Sequence, residues 1–388
     1  MTIRGASLIA GAYEHPGREL PDRTLPQIHF AVAAGALADA GLDWSDVDAY
    51  YSAGDAPGFG NLSMADYLGL DLTYVDDTET GGSSYLVHIQ HAAAAIAAGQ
   101  VKVALITLAG NPRSGGAAPG GSARAGGAPE AGFENQFGMS VPGGYALAAA
   151  RHMYEFGTTS EQLAEVKVAA SIHASHNPHA FLQDQVTVEE VLASPVISDP
   201  LHRLDCCVIT DGGGALVMVA PEVAADLDRH CIPVLGTGTA VKHTVNGRID
   251  LTHTGASRSG PLAFAEAGLT PSDIDYVSIY DSFTITVVIT LEDLGFCDKG
   301  AGGRFVAEGN LRADGGRLPF NTDGGGLCNN HPANRGGMTK VIEAVRQLRG
   351  EANPAVQVAD CELALAHGTG GSLATRMGSS TVIMGRSL

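Results

Sequence analysis

The chain has 388 residues, of which 45% are hydrophobic, and a formal net charge of −19 at pH 7. So acidic a chain is a poor nucleic-acid binder, because phosphate contacts require basic patches. The hydrophobic share suffices for a large core, the six cysteines form no CxxC pair that would suggest a metal site, and no apolar run is long enough to span a bilayer. We therefore expect a cytoplasmic protein with reduced thiols, and without a metal, a nucleic-acid partner or membrane insertion.

Two segments of the chain resemble each other. Residues 36–51 read ALADAGLDWSDVDAYY and residues 263–278 read AFAEAGLTPSDIDYVS, so that Gly41 aligns with Gly268. Each segment is typical of a helix that ends at glycine and is followed by a polar turn and a strand. Self-similarity at this separation indicates two copies of one α/β unit. The alternative is a coincidence between helix–strand junctions, which are common in α/β proteins.

Further elements follow the first copy in chain order. An alanine-rich helix is predicted over 91–98 and a buried strand over 101–108. Gly, Ala, Pro and Ser dominate residues 110–144, which we interpret as a long insertion loop beside the ligand rather than as a linker. Residues 145–198 predict two helices, an irregular HNPHAF stretch and a third helix, and 212–219 predict a strand that closes the first half.

The second half continues the alternation of strands and helices. Residues 363–366 and 380–384 predict strands near the end of the chain. Such alternation indicates sheets that are covered by helices on both faces. We therefore expect an α/β protein in two halves, residues 1–222 and 223–388, with a loop domain inserted in the first half at about 110–205.

Four stretches, in the same order along the chain, resemble one known family. They are HNPHAFLQDQVTVEEVLASPVISDPLHRLDCCVITDGGGA (176–215), YDSFTITVVITLEDLGFC (280–297), GGGLCNNHPANRGG (324–337) and AHGTGG (366–371). They resemble the loop-domain exit, the HDCF segment, the GGxxxxGHPxGxxG signature and the last catalytic loop of sterol-carrier-protein thiolases. Together these matches span nearly the whole chain, and the internal repeat agrees with them, since the thiolase fold is itself a duplicated α/β unit.

The resemblance implies a fold, a substrate class and an assembly. The thiolase fold has five layers, αβαβα, in which two sheets enclose a central layer of helices and an inserted loop domain covers the channel for coenzyme A. A homodimer core is expected, with an acyl-CoA substrate and no tightly bound cofactor, coenzyme A being part of the substrate. The phosphates of coenzyme A need basic side chains at the mouth of the channel. The candidates are Arg113, Arg124 and Arg151.

The place of the usual nucleophile contains no cysteine. Thiolases carry a nucleophilic cysteine at the N-terminus of a buried helix, where the helix dipole favours the thiolate. The corresponding stretch here is TETGGSSY (78–85). Ser83 or Ser84 is a candidate replacement, but a serine hydroxyl is a weak nucleophile without a base, and a role as helix cap is the alternative. Cys328, three residues before His331, is another candidate nucleophile, with core packing as the alternative.

Two histidines lie in the matching motifs. His331 corresponds to the GHP histidine, which in the family activates the cysteine and contributes to an oxyanion site, while Asn330 stands where the family has glycine. His367 follows the apolar run LALA and begins a glycine-rich loop with Gly368. Such a loop is expected to present the imidazole and backbone N–H groups to a ligand. A structural role is the alternative for each histidine.

The HDCF segment is altered at the residues that matter for chemistry. Tyr280 replaces the histidine, Asp281 keeps the acid and Ser282 replaces the cysteine. A buried phenol can move the proton of an alkoxide if its surroundings lower its pKa. That suits a retro-aldol reaction, in which a β-hydroxyl loses its proton, the Cα–Cβ bond breaks and the thioester enolate is protonated. Steroid side-chain aldolases that resemble thiolases share the loss of the cysteine. Tyr280 as a core aromatic residue is the alternative.

We therefore expect an enzyme that cleaves or forms a C–C bond next to an acyl-CoA thioester by aldol chemistry, without a cysteine nucleophile. Tyr280 and His331 would move protons, and His367 together with nearby backbone amides would stabilise the enolate oxygen. The alternatives are a Claisen-type acyltransferase that uses a serine or Cys328, and a non-catalytic acyl-CoA- or lipid-binding protein. Cysteine-less relatives of thiolases pair with a small subunit that carries an OB-fold and a zinc ribbon, so the same kind of partner is expected here.

Overall fold

The structure, a computed structural model, describes residues 2–116, 129, 131–138, 140–245, 248–332 and 336–388. The strands are β1 (Leu8–Glu14), β2 (Ala49–Tyr51), β3 (Tyr74–Asp76), β4 (Val103–Gly110), β5 (Val196–Ser198), β6 (Leu201–His202), β7 (Gly212–Val219), β8 (Ile232–Lys242), β9 (Tyr276–Ile279), β10 (Leu363–Gly371) and β11 (Met377–Gly385). The helices are α1 (Leu25–Ala40), α2 (Asn61–Leu68), α3 (Ser84–Ala97), α4 (Ala131–Glu134), α5 (Val141–Phe156), α6 (Ser160–Ala174), α7 (Val188–Ala193), α8 (Pro221–Ala224), α9 (Ala256–Ala267), α10 (Thr284–Asp293), α11 (Gly302–Ala307), α12 (Gly325–Cys328) and α13 (Gly337–Arg349).

The two similar segments of sequence fold in the same way. α1 ends at Gly41 and α9 ends at Gly268, with φ of 71° and 68°. This left-handed conformation favours glycine, because other residues meet steric strain there. A single 3₁₀ turn follows each glycine and leads into β2 or β9. The predicted helix–turn–strand unit is therefore present twice.

Each half of the chain contributes one part of a mixed sheet. The strand order is β3-β2-β4-β7-β1 in the first half and β8-β11-β10-β9 in the second. The two parts join where β1 pairs with β8, through only the pairs Leu8↔Pro233 and Ile9↔Ile232. Within each half the short strands β2 and β9 run parallel to β4 and β10. The junction is thus narrow, and packing of helices between the halves holds them together.

The layers follow from where the helices pack. α1 covers the outer face of the first sheet and α9 covers the outer face of the second. α3 and α13 lie between the sheets, and most of their residues are buried. A single apolar cluster accordingly contains side chains of α3, α13 and strands from both halves. This is the expected five-layer αβαβα arrangement.

The inserted segment packs on the second half. As predicted, it contains two long helices, α5 and α6, then an irregular stretch and a third helix, α7. α6 contacts α10, α11 and α12, so the insertion packs on the helices that follow β9. The division of the chain at residues 222 and 223 stays a prediction. Within the described ranges no helix combines the length and the apolar composition that crossing a membrane requires.

Candidate active site

Tyr280 and His331 are hydrogen-bonded to each other in the interior of the protein. Tyr280 directly follows β9, and His331 lies in the loop between α12 and α13. The phenol oxygen of Tyr280 lies 2.8 Å from Nε2 of His331, and both side chains are more than nine-tenths buried. The structure therefore brings together two of the three residues to which the sequence assigned proton transfer or enolate stabilisation, from positions 51 residues apart.

Asp281, the next residue after Tyr280, is bound by backbone groups and by a cation. Its carboxylate accepts the N–H groups of Gly326 and Leu327, at 2.7 and 3.0 Å, in the first turn of α12. Nζ of Lys340, on α13, lies 3.3 Å from Oδ1 of Asp281. These contacts connect the end of β9 to both helices that flank His331. Asp281 thus supports the site instead of taking part in the hydrogen bond between Tyr280 and His331.

Three glycines lie where neighbouring segments approach most closely. A Cβ atom on Gly82 would lie 2.6 Å from Cε2 of Tyr280 and would overlap the carbonyl oxygen of Thr369. A Cβ atom on Gly337 would overlap the carbonyl oxygen of Gly82, and one on Gly336 would lie 3.1 Å from the Tyr280 ring. Only glycine permits this approach. As a result, the starting ends of α3 and α13 meet beside Tyr280.

Two helix starts lie next to the phenol of Tyr280, and they make the site favourable for negative charge. The first N–H groups of a helix have no partner within the helix, and the helix dipole adds a partial positive charge at the same end. Helix starts are therefore suited to bind anionic oxygen atoms. An oxygen that gains negative charge during a reaction, such as the oxygen of a thioester enolate, would be stabilised there.

Burial determines the protonation states of the pair. It raises the pKa of Tyr280 well above the ordinary value, and nearby Cys207 and Tyr145 add to the increase. Burial also lowers the pKa of His331 to about 4, although the charge of Asp281 opposes the change. At neutral pH the phenol is protonated and the imidazole is neutral, and in the tautomer that carries its proton on Nδ1 the imidazole accepts the hydrogen bond from Tyr280. The surroundings thus raise the pKa of Tyr280 instead of lowering it, which disfavours a phenolate.

His367 does not join the pair. Its carbonyl accepts the N–H of Tyr280 at 2.9 Å, but its side chain lies on the other face of β10 from Gly368, as alternation along a strand requires. Nδ1 of His367 lies 2.9 Å from the hydroxyl of Thr381, which in turn contacts α9, and burial lowers the pKa of His367 to about 3. A Cβ atom on Gly368, in contrast, would lie 3.1 Å from the carbonyl oxygen of Gly82. Of the two residues, Gly368 borders the site.

The candidate nucleophiles are engaged in structural contacts. The hydroxyl of Ser83 donates to the carbonyl of Thr80 at 2.8 Å, and the hydroxyl of Ser84 accepts the N–H of Thr80 at 2.8 Å. Within the described part of the chain, neither serine hydroxyl is hydrogen-bonded to a base. The thiol of Cys328 lies 3.0 Å from Nζ of Lys167 inside the apolar core, and burial raises the pKa of Cys328.

Two of the three candidate arginines for coenzyme A lie in the described residues, and their surroundings differ. Arg113 stacks over the ring of Phe181, with 4.4 Å between the guanidinium carbon and the ring centre. Arg151 lies on the exposed side of α5 and forms an ion pair with Glu155. Arg124 lies outside the described residues.

The sequence analysis missed several residues that surround the pair. Asn321 accepts the N–H of Ile279 and donates to its carbonyl, both at 2.9 Å, and so fixes the end of β9. The glycine doublets before α3 and α13 were the available signal for the close approach of the two helices. The sequence does not indicate a role for a single polar residue such as Asn321 or Lys340, because that role depends on a neighbour that is distant in sequence.

The protein has two copies of an α/β unit around a central helix layer, and the starts of two buried helices meet beside Tyr280 and His331. These features define a thiolase-fold protein. A family profile described as thiolase C-terminal domain-like matches residues 238–386. The chain is 35% identical to an acetyl-CoA acetyltransferase of Methanothermobacter thermautotrophicus, over 92% of the chain and 95% of the relative. It therefore belongs to the thiolase superfamily, in the branch that contains the sterol-carrier-protein thiolases and the thiolase-like aldolases.

Two further comparisons concern aldolases of this branch. The chain is 37% identical to a steroid side-chain-cleaving aldolase of Thermomonospora curvata, over 90% of the chain and 91% of the relative. The solved structure named Ltp2-ChsH2(DUF35) aldolase is 33% identical and superposes with a TM-score of 0.88, covering 99% of this chain and 98% of that chain. Relatives with both aldolase and acyltransferase names are thus similar to this chain over nearly its whole length.

Proposed function

We propose that the protein cleaves or forms the C–C bond next to the thioester of a β-hydroxyacyl-CoA by aldol chemistry, without an acyl-enzyme. The observation that carries the proposal is the contact between Tyr280 and Gly82. The ring of Tyr280 occupies the space into which a side chain at position 82 would point. That position lies at the start of α3, where the family resemblance puts the nucleophile. A phenol that is hydrogen-bonded to a histidine therefore stands in the place of a thiolate.

The proposed reaction uses Tyr280 and His331 as one proton-transfer unit. In the cleavage direction, the β-hydroxyl donates its proton to the phenol oxygen of Tyr280 while the phenol proton passes to Nε2 of His331. The Cα–Cβ bond breaks, its electron pair forms the thioester enolate, and the β-carbon leaves as a carbonyl compound. The proton returns from His331 through Tyr280 to Cα, which gives the shortened acyl-CoA. Transfer in one step avoids a phenolate, whose formation the raised pKa of Tyr280 opposes.

The starts of α3 and α13 have the second role in this proposal. Their N–H groups and dipoles would stabilise the enolate oxygen, which carries the charge that develops as the bond breaks. The backbone of Gly368 borders the same space. His367 would act only through its carbonyl, which binds the N–H of Tyr280. The sequence analysis assigned this stabilisation to the imidazole of His367 and to nearby backbone amides, and the proposal keeps only the backbone groups.

The proposal also covers coenzyme A, which is part of the substrate, and the partner chains of the protein. Coenzyme A enters as part of the substrate, with Arg113 as a candidate for binding its phosphates. A homodimer core is supported by β3, which ends the strand order of its half and carries Val75, 45% exposed, since an unpaired sheet edge can pair with a second chain. A partner subunit is supported by the solved relative, whose name pairs Ltp2 with ChsH2(DUF35); that this subunit is small and carries an OB-fold and a zinc ribbon is what the family resemblance implies.

The test is an assay with β-hydroxyacyl-CoA substrates, on the chain alone and co-expressed with such a subunit. We expect the unmodified enzyme to release an acyl-CoA and a carbonyl product. Tyr280→Phe should lower kcat by about 10²-fold or more, because it removes the proton that moves, with little change in KM. Cys328→Ser is the matched control and should keep its activity, since that thiol packs in the core.

Mass spectrometry of the intact protein separates this proposal from the alternatives. After mixing with substrate, the aldol reaction predicts an unchanged protein mass. An acyl group trapped on Ser83, Ser84 or Cys328 would contradict it and support the Claisen-type acyltransferase. Binding of acyl-CoA without turnover of any substrate, with and without the partner, would support the non-catalytic alternative.

A further inference from the structure

Asn330 stands where the resemblance has glycine, and both ends of its side-chain amide are hydrogen-bonded. Its oxygen accepts from the hydroxyl of Thr210 at 2.7 Å, and its nitrogen donates to the carboxylate of Glu14 at 2.9 Å. The hydroxyl oxygen of Thr210 in turn accepts the backbone N–H of His331 at 2.8 Å. Thr210 and Asn330 are fully buried. Glycine at position 330 would make neither of these side-chain bonds.

These bonds connect the loop of His331 to the other half of the protein. Glu14 is the last residue of β1, and Thr210 lies two residues before β7, the strand that pairs with β1. Glu14 is itself held by Arg18 at 2.9 Å and by Arg346 at 3.3 Å. His331 lies in the second half of the chain, and its backbone is thus attached to two neighbouring strands of the first sheet.

We propose that Thr210 and Asn330 are positioning residues, which fix the backbone of His331 so that Nε2 stays within hydrogen-bond distance of Tyr280. Thr210 is the central member, because one oxygen atom serves both His331 and Asn330. Without that hydroxyl, a buried N–H and a buried amide oxygen lose their partners, which buried polar groups rarely do. A displacement of about 1 Å in a reacting group lowers a rate by about 10²-fold. The kinetic consequence rests on the proposed function, whereas the placement of the imidazole does not.

The test compares two substitutions that differ in one group. Thr210→Val keeps the shape of the side chain and removes the hydroxyl, whereas Thr210→Ser keeps the hydroxyl. In the assay described above we expect Thr210→Val to lower kcat by about 10- to 100-fold with an unchanged KM. Thr210→Ser should stay close to the unmodified enzyme. Equal losses of kcat in the two variants, or a loss confined to KM, would overturn the proposal.

A second measurement does not need turnover. Protein labelled with ¹⁵N-histidine reports the hydrogen bond that Nε2 of His331 accepts, and Tyr280→Phe shows the resonance position without that bond. We expect Thr210→Val to move the resonance toward the Tyr280→Phe position and Thr210→Ser to leave it in place. A resonance unmoved in folded Thr210→Val would contradict the positioning role. If the unmodified enzyme has no turnover, the proposed function fails, and the resonance still decides the role of Thr210.

Discussion

At the scale of single residues, Gly82 makes room for Tyr280. Replacing Gly82 with alanine adds a methyl group that would lie 2.6 Å from the Tyr280 ring and would overlap the carbonyl oxygen of Thr369. Either the ring or the backbone must move. Overpacking of this kind costs about 1–3 kcal/mol of unfolding free energy, and a ring displaced from His331 should lower kcat by about 10²-fold. Urea unfolding and steady-state kinetics measure the two effects.

Gly132 provides the control for this substitution. Among the described residues, a Cβ atom on Gly132 would meet nothing within 4 Å, and the residue does not have a positive φ. Gly132→Ala should therefore leave kcat unchanged and, because Gly132 lies in α4, should raise the unfolding free energy by up to about 1 kcal/mol instead of lowering it. A Gly82→Ala protein with unchanged kcat would mean that the Tyr280 ring does not occupy the catalytic position.

Some residues of the candidate site could be selected from the sequence and others could not, for physical reasons. Tyr280 and His331 stand in motifs, so a resemblance was enough to select them. His367 and Gly368 are neighbours, and only the pairing of β10 with β11 determines which of them faces α3. The direction of the pKa change of Tyr280 likewise depends on burial, which comes from the packing of distant segments.

At the scale of elements, Asp281 and Lys340 link the end of β9 to α12 and α13. Both side chains are almost fully buried and lie 3.3 Å apart. Burial alone would lower the pKa of Lys340, but the charge of Asp281 and other nearby acids raises it, so the ammonium stays charged. Asp281→Asn leaves that cation without its nearest counter-charge, and we expect a loss of about 3 kcal/mol of unfolding free energy.

A double-mutant cycle tests this link. Adding Lys340→Met to Asp281→Asn removes the cation as well, so the double variant should be more stable than Asp281→Asn alone. Urea unfolding of all four proteins gives the coupling energy. Losses that simply add would show that the two side chains do not depend on each other.

The arrangement of helices and strands, like that of the site residues, could be predicted from the sequence only in part. The repeat was visible in α1–β2 and α9–β9, because both copies keep glycine and acidic residues at the turn. The central helices α3 and α13 have unlike sequences, SYLVHIQHAAAAIA and GMTKVIEAVRQLR. A buried helix needs side chains of suitable size, and many sequences satisfy that condition. The meeting of the two helix starts could therefore not be predicted from the repeat.

At the scale of the whole molecule, four buried histidines make stability depend on pH. Burial is the main cause that lowers the pKa of His88, His173 and His331 to about 4, and that of His367 to about 3. In the unfolded chain the same side chains have a pKa of about 6.5. Below that value the unfolded state binds more protons than the folded state, so stability must fall as the pH falls toward about 4.

The size of the effect follows from the number of protons. Where the four histidines are protonated only in the unfolded chain, they should contribute a fall of about 5 kcal/mol per pH unit to the unfolding free energy. Glu343, whose pKa burial raises to about 7, is protonated only in the folded protein over the same range and offsets one of these protons, which leaves a slope of about 4 kcal/mol per pH unit. Urea midpoints measured between pH 7 and about 5 give this slope. His88→Gln removes one of the histidine protons and should reduce the slope by about a third, whereas His179→Gln, at an exposed site, should leave it unchanged. A midpoint that does not change with pH would mean that these imidazoles are solvated in the folded protein, and that burial does not keep His331 neutral below a pH of about 6.5.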